Sequence, residues 1–544
     1  MYEKSAEHYS WWQKQPIDVR DWPILIDEKS QLFVDDYMIA EKKNVEKQFH
    51  QPVTFETPVL LPEHPWEGVT CLAHGTVIKE ASGRLRMYYT GFLLEAPIDM
   101  KRTQVAYNTV CMACSEDGIH WEKPELGLHP YGDRNDTNLF LPFQPEGIIY
   151  EQFSILYDEK EKDPGRRWKM GMFELGKGIF NYDPENPTDV RMSAGPYEGT
   201  GFYAYYSSDG LHWNKAPEPI MTSGWSLNPE NWPLPGVSEN ESIMYDSVRN
   251  KFIAFVRIWD CRPGMPNMIR ARAICESDDF IHWTTPRVLF LPLEDDEPGL
   301  QFYSSTGFNY ESMYLGLLRC WRSGTTKQLY FQLVSSRDGQ HWERAAHRQP
   351  FIDNAPLGTI GGGYHSDFSN PPIRMGGELW FYYGSSQFGK NVRPNIGGIC
   401  LAKLRLDGFA SIEGGYATGS LITRPLDFCG KQLTINGLPR KAGKFGVAGS
   451  VEHGMFVNTG IVEGKAGNIA VEILDRHYNP IEGYGLEDCI PVTEDAVASP
   501  VRWKNHGDLS ALEGTTIRLK FYITHAGLYS FAIGKGGVKF GLFN

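Results

Sequence analysis

The chain has 544 residues, 41% of them hydrophobic and 13% aromatic, with a net charge of −14 at neutral pH. That acidity argues against nucleic-acid binding, which needs a basic surface, and no run of about 18 apolar residues is present to cross a membrane as a helix. Fifty-six glycines and 35 prolines point to many turns and few long helices.

Residues 1–30 are polar and aromatic, with Trp11, Trp12 and Trp22, and read as an N-terminal arm packed on the main domain. No apolar region follows Met1-Tyr2-Glu3-Lys4, so no signal peptide is expected and a cytoplasmic location is the default. Leu32-Phe33-Val34-Asp35-Asp36-Tyr37-Met38-Ile39 is the first expected strand, and its acid pair suits a local turn better than chemistry. Nine cysteines show no zinc-ribbon spacing; Cys111 and Cys114 lie inside an expected strand and read as reduced core thiols. No cofactor is expected.

Five hairpins follow, each an apolar run, a turn and a second run. They are Gly75–Ile78 with Leu85–Tyr89, Phe153–Tyr157 with Trp168–Met170, and Ser242–Asp246 with Phe252–Val256. Thr306–Tyr310 with Tyr314–Leu318 and Pro372–Arg374 with Leu379–Tyr383 complete the set. After four of them comes one recurring phrase: Ser115-Glu116-Asp117-Gly118-Ile119-His120-Trp121, Ser207-Ser208-Asp209-Gly210-Leu211-His212-Trp213, Ser277-Asp278-Asp279-Phe280-Ile281-His282-Trp283 and Ser336-Arg337-Asp338-Gly339-Gln340-His341-Trp342. Asp-Gly supplies a tight turn, because glycine accepts positive φ without steric cost. The unevenly spaced units are too long for a helical solenoid repeat and suit four-stranded propeller blades of about 40–50 residues, enlarged by loops. The fifth hairpin is followed by a degenerate copy at Leu406-Asp407-Gly408-Phe409. The expected fold is therefore all-β: a five-bladed β-propeller over residues 31–415. A β-sandwich over 416–544 follows, built on segments such as Gln432–Ile435, Ile469–Leu474, Thr516–Tyr522 and Leu528–Phe531.

Five blades followed by a sandwich resembles the propeller glycoside hydrolases of families 32 and 43 and their bacterial relatives. Leu32-Phe33-Val34-Asp35-Asp36-Tyr37, Arg86-Met87-Tyr88-Tyr89-Thr90-Gly91 and Leu404-Arg405-Leu406-Asp407-Gly408-Phe409-Ala410-Ser411 are similar to text that recurs in them. The resemblance implies a funnel at the propeller axis with three acids on the first strands of blades one to three. It also implies a glycosidase removing a terminal sugar from an oligosaccharide or glycan. Such chemistry needs a protonated carboxyl for the leaving group and an ionised one as nucleophile or base.

The candidate acids at the starts of those strands are Glu67 in blade one, Glu151 in blade two, and Glu239 and Glu241 in blade three. Either Glu239 or Glu241 is the expected general acid; both can face the funnel, because alternate residues share a strand face. The candidate substrate-binding residues are Trp66, His74, Arg257, Tyr303, Arg319, His365 and Asp367; His74 and His365 could serve as donors to an axial metal, but two isolated histidines do not make a site and no metal is expected. Family-32 motifs are missing: His74-Gly75 stands where Asn-Asp-Pro-Asn-Gly would, and Glu151-Gln152-Phe153 where Arg-Asp-Pro would. The blade-three Glu-Cys-Pro is matched only loosely. These departures leave two alternatives open, a carbohydrate-binding propeller without catalysis and a glycoside phosphorylase. The sugar and the oligomeric state are not legible.

Overall fold

A computed structural model describes residues 22–55, 57–95, 105–143, 148–175, 200–222, 237–260, 269–369, 371–390, 392, 395–452 and 455–534. The chain divides into two compact units, residues 51–405 with the last two residues, and residues 1–50 with 406–542.

The larger unit is a series of antiparallel meanders, and all five expected hairpins are present in it. Ile149–Tyr157, Trp168–Leu175, Gly201–Ser207 and Asn214–Thr222 make one four-stranded sheet. Ser238–Asp246, Lys251–Asp260, Ile269–Ser277 and Arg287–Phe290 make the next. Leu300–Ser305, Met313–Arg322, Leu329–Ser336 and Trp342–Arg344 form the path of a third, which Phe308–Tyr310 and Pro350–Ile352 join at its sides. An eight-stranded sheet holds both ends of the unit. Its halves, around Leu85–Glu95 and Glu378–Ser386, meet at a single parallel pair, Thr70 with Gly397. The short strand Val53–Thr54 pairs with Gly397–Arg405, so the start of the unit is hydrogen-bonded to its last strand. Apolar clusters fill the spaces between successive sheets. Tyr88, Phe140, Phe153, Met170 and Tyr205 form one of them, and Phe255, Phe302, Leu318, Tyr330 and Trp342 another.

The recurring phrase folds the same way each time. In the second copy Ser207 Oγ accepts the Gly210 amide at 2.9 Å, and Asp209 Oδ1 accepts the amides of Leu211 at 2.8 Å and His212 at 2.9 Å. His212 Nδ1 lies 2.7 Å from the other Asp209 oxygen. Gly210 has φ +74°, and a Cβ there would lie 2.5 Å from Tyr88 Oη. In the third copy Phe280 takes this left-handed conformation, at φ 69°, and its ring is fully buried. Gly210→Val is therefore expected to lower the unfolding free energy by about 2 kcal/mol or more, from backbone strain and the clash together, as read by urea denaturation.

The expected first strand differs from its reading. Only Gln31–Leu32 is a strand there, and it pairs with Ala526–Gly534 in the smaller unit. Residues 33–38 turn: Asp35 accepts the Tyr37 amide at 3.1 Å, and Asp36 pairs with Lys47 at 2.6 Å. Ile39–Lys43 and Val45–Phe49 also pair in the smaller unit, with Gly419–Thr423 and Ala410–Gly414. Ile24–Ile26, in the expected arm, pairs in parallel with Leu426–Phe428. The remainder of the arm, residues 1–21, lies outside the described residues. The smaller unit thus has two six-stranded sheets around one apolar cluster that includes Phe33, Leu421, Val471, Trp503, Phe521 and Phe531. The N-terminal strands sit here because pairing follows edge geometry, which is long-range, and not the order of the chain.

Candidate functional site

Segments from three successive sheets and from both halves of the eight-stranded sheet meet around one small void. Its lining comes from Ala73-His74-Gly75, Gln152-Phe153-Ser154, Ser242, Ser304-Ser305-Thr306 and Asp367-Phe368. About 10 Å³ is open to a water-sized sphere, roughly what one water molecule needs. A sugar ring is too large for it and would have to bind at its rim.

Asp367 is the best-connected group in the lining. Ser304 Oγ donates to its Oδ1 at 2.5 Å, Arg319 Nη1 lies 3.0 Å from the same oxygen, and His74 Nε2 lies 3.3 Å from Oδ2. Asp367, His74 and Arg319 are all buried. Burial pushes the His74 imidazole down to about 4; Asp367 opposes this and Arg319 adds to it. His74 is therefore neutral at pH 7.

The strands bulge where they reach the rim, and the bulges carry several candidate residues. Tyr150 pairs with Glu174 but Phe153 with Met172, so Glu151 and Gln152 stand opposite one residue. Ser238 pairs with Arg257 but Ser242 with Phe255, so Glu239, Asn240 and Glu241 face Val256 alone. Phe302 pairs with Cys320 and Ser304 with Arg319, which leaves Tyr303 extra. A bulge bends its strand and re-aims side chains, and bulges recur beside active sites. It also breaks the simple alternation used above to put Glu239 and Glu241 on one face. The backbone of both glutamates is described; their side chains lie outside the described residues.

Tyr303 is the hub of a cationic and aromatic cluster. The Arg319 guanidinium lies 4.4 Å from its ring centre, Arg270 5.2 Å and Arg257 5.6 Å, and the Lys390 ammonium 4.3 Å. Lys390 also donates to the Tyr303 hydroxyl. Trp259 and Trp321 flank the same cations, Arg270 lying 4.8 Å and 5.1 Å from their rings. Sequence reasoning missed Arg270 and Lys390. A signal existed for this region: Arg257-Ile258-Trp259 and Arg319-Cys320-Trp321 repeat one Arg-x-Trp phrase at the ends of equivalent strands, where alternation puts Arg and Trp on one face. Arg270 lies directly opposite Trp259 in the ladder.

Three candidates serve other ends. Glu67 is fully buried away from the void. Its oxygens accept the amides of Glu63 at 2.7 Å and His64 at 2.9 Å and the Tyr89 hydroxyl at 2.5 Å, and pair with Lys123 at 2.9 Å. It caps a short 3-10 turn, Pro65–Glu67, and all its acceptor capacity is used there. Trp66 is also fully buried: its indole donates to Asn138 at 2.7 Å and its ring stacks on His64, so no face remains for a sugar. His365 contacts Ser385 Oγ through Nδ1 at 2.8 Å and the Asp353 carbonyl through Nε2 at 3.2 Å, which occupies both ring nitrogens away from His74. Burial pushes its imidazole down to about 4 as well.

These two histidines set a pH dependence. Both carry a folded value of about 4 against an ordinary 6.5, so the unfolded chain binds more protons between those limits. Their stabilisation is complete above pH 6.5 and is lost as pH falls towards 4, by at most about 2.7 kcal/mol per pH unit for the pair. Urea titrations across this window are expected to show that loss, with a shallower slope in His74→Gln.

No protein-family model matches the sequence, and no curated protein matches it. Among solved structures the chain is similar to a thermostable family-43 glycoside hydrolase, 13% identical, covering 64% of this chain and 94% of that one at a TM-score of 0.42. It is also similar to a β-1,2-mannobiose phosphorylase from Listeria innocua, 12% identical, covering 65% and 96% at 0.39. A family-32 β-fructofuranosidase from Bombyx mori is 11% identical, covering 89% and 95% at 0.39. At this identity and overlap the likeness transfers no activity and no substrate to this chain.

Proposed function

We propose that the chain is a glycoside hydrolase that removes a terminal sugar at the rim of the void, with residues 51–405 forming a five-bladed β-propeller. In this reading the eight-stranded sheet is two blades in contact at Thr70 and Gly397, and the two sheets of the smaller unit are a β-sandwich. The observation that carries the function is the set of three bulges bearing Glu151, Glu239 with Glu241, and Tyr303 around the void that Asp367 lines. Acidic residues carried on bulges of neighbouring strands supply the residue types that protonation of a leaving group and attack at the anomeric carbon require.

The roles follow from chemistry. One of Glu239 and Glu241 protonates the departing oxygen. Glu151 is the second carboxylate, serving as nucleophile or as base for water. Asp367, already accepting from Ser304 and paired with Arg319, binds and orients substrate and leaves proton transfer to the others. Tyr303, buried among the cations, positions them at the rim. A closed rim of this kind favours action on chain ends. The test is release of a free monosaccharide from a panel of oligosaccharides, present in the wild type and abolished in Glu239→Gln/Glu241→Gln. A double variant that retains full turnover would sink the reading.

A further inference from the structure

We infer that the rim takes an acidic sugar, whose carboxylate is held by Arg270 and Lys390, with the buried Arg257 and Arg319 behind them around the Tyr303 ring. This rests on the glycoside reading above and names its substrate class. The four cations lie 4.3–5.6 Å from one ring centre. Arg319 is fixed further by Asp367 at 3.0 Å, and Arg270 by Gln301, whose Oε1 accepts from Nη1 at 2.9 Å. Arg270, Lys390 and Tyr364 are partly exposed, whereas Arg257, Arg319 and Tyr303 are buried, so Arg270 and Lys390 are the cations open to a ligand.

Two arguments favour an acid over a neutral sugar. Guanidinium and ammonium groups only donate hydrogen bonds, whereas a sugar hydroxyl both donates and accepts. The two exposed donors, Arg270 and Lys390, therefore suit a group that only accepts, and the planar guanidinium fork of Arg270 matches a carboxylate in shape. The cations also repel one another. Burial holds the Lys390 amine below its usual range, and Arg270 and Arg257 depress it further against the pull of Tyr303. A ligand carboxylate beside Lys390 would favour its charged form. The indole Nε1 of Trp321, buried beside the same cations, has no hydrogen-bond acceptor among the described residues, so a ligand oxygen would satisfy it as well. The partly exposed Tyr364 beside these cations offers a contact for a sugar ring, which a bare inorganic anion lacks.

The experiment is calorimetric titration of the full chain with paired methyl glycosides, uronate against neutral, in the gluco, galacto and manno configurations, and with inorganic phosphate. At least one uronate is expected to bind tenfold or more tightly than its neutral partner, and the preference should weaken with added salt. Lys390→Met and Arg270→Gln, checked for folding by melting temperature, are expected to bring the ratio towards one. Equal binding of each pair, a preference unchanged in both variants, or binding of phosphate without any uronate preference would overturn the inference. Turnover separates the two claims. Uronate binding with no cleavage of any glycoside sinks the hydrolase and leaves this site standing; cleavage of neutral glycosides without the preference sinks this site alone.

Discussion

Either Glu239→Gln or Glu241→Gln is expected to slow cleavage of a natural glycoside by about a thousandfold, within the range that general acid catalysis contributes. The same variant should lose far less on an aryl glycoside, because a good leaving group needs little protonation. The reason is positional. Both residues lie in the bulge opposite Val256, where the strand is free of regular pairing and reaches the rim beside Arg257. A general acid must stay protonated near neutral pH, above the ordinary glutamate value of about 4.3, and neighbouring carboxylates push it that way. Steady-state rates on matched natural and aryl substrates provide the check. Small, equal losses for both variants on both substrates would remove these glutamates from the mechanism.

Asp367→Ala is expected to give the largest loss of stability of any substitution at the void, about 3–5 kcal/mol, the usual result of removing one partner of a buried ion pair. Its carboxylate is bonded by Ser304, paired with Arg319 and close to His74, and it is shielded from solvent. Asp367→Asn keeps the shape and an acceptor for Ser304 while removing the charge. It should be the milder change in urea denaturation, yet still impair substrate binding. Equal stability of Asp367→Ala and wild type would mean that the pair with Arg319 contributes nothing.

The parts of this molecule legible in its sequence are those made by local contacts. The turn at Ser207–Trp213 is written in residues that bond one another within three positions, and so are its three counterparts. The hairpins were legible because their alternation and turns are local too. The N-terminal strands were not, since Val45–Phe49 finds its partner at Ala410–Gly414, and nothing near residue 45 announces it. Glu67 looked like a catalytic acid because a lone glutamate carries no sign of its partners; Tyr89 and Lys123 settle its role from elsewhere in the chain. The bulges were hidden for a related reason. A bulge is a count of residues against a partner strand, so the sequence of one strand cannot display it. Arg270 and Lys390 gain their meaning only from Tyr303, with which they share no sequence neighbourhood.

The most direct test of the account is to follow oligosaccharide cleavage by proton NMR at the anomeric signals, with and without inorganic phosphate, using the intact protein. A hydrolase of the kind described here predicts a free terminal sugar appearing at a rate that phosphate does not change. Appearance of a sugar 1-phosphate only when phosphate is added, or binding of oligosaccharides with no cleavage under either condition, would contradict it.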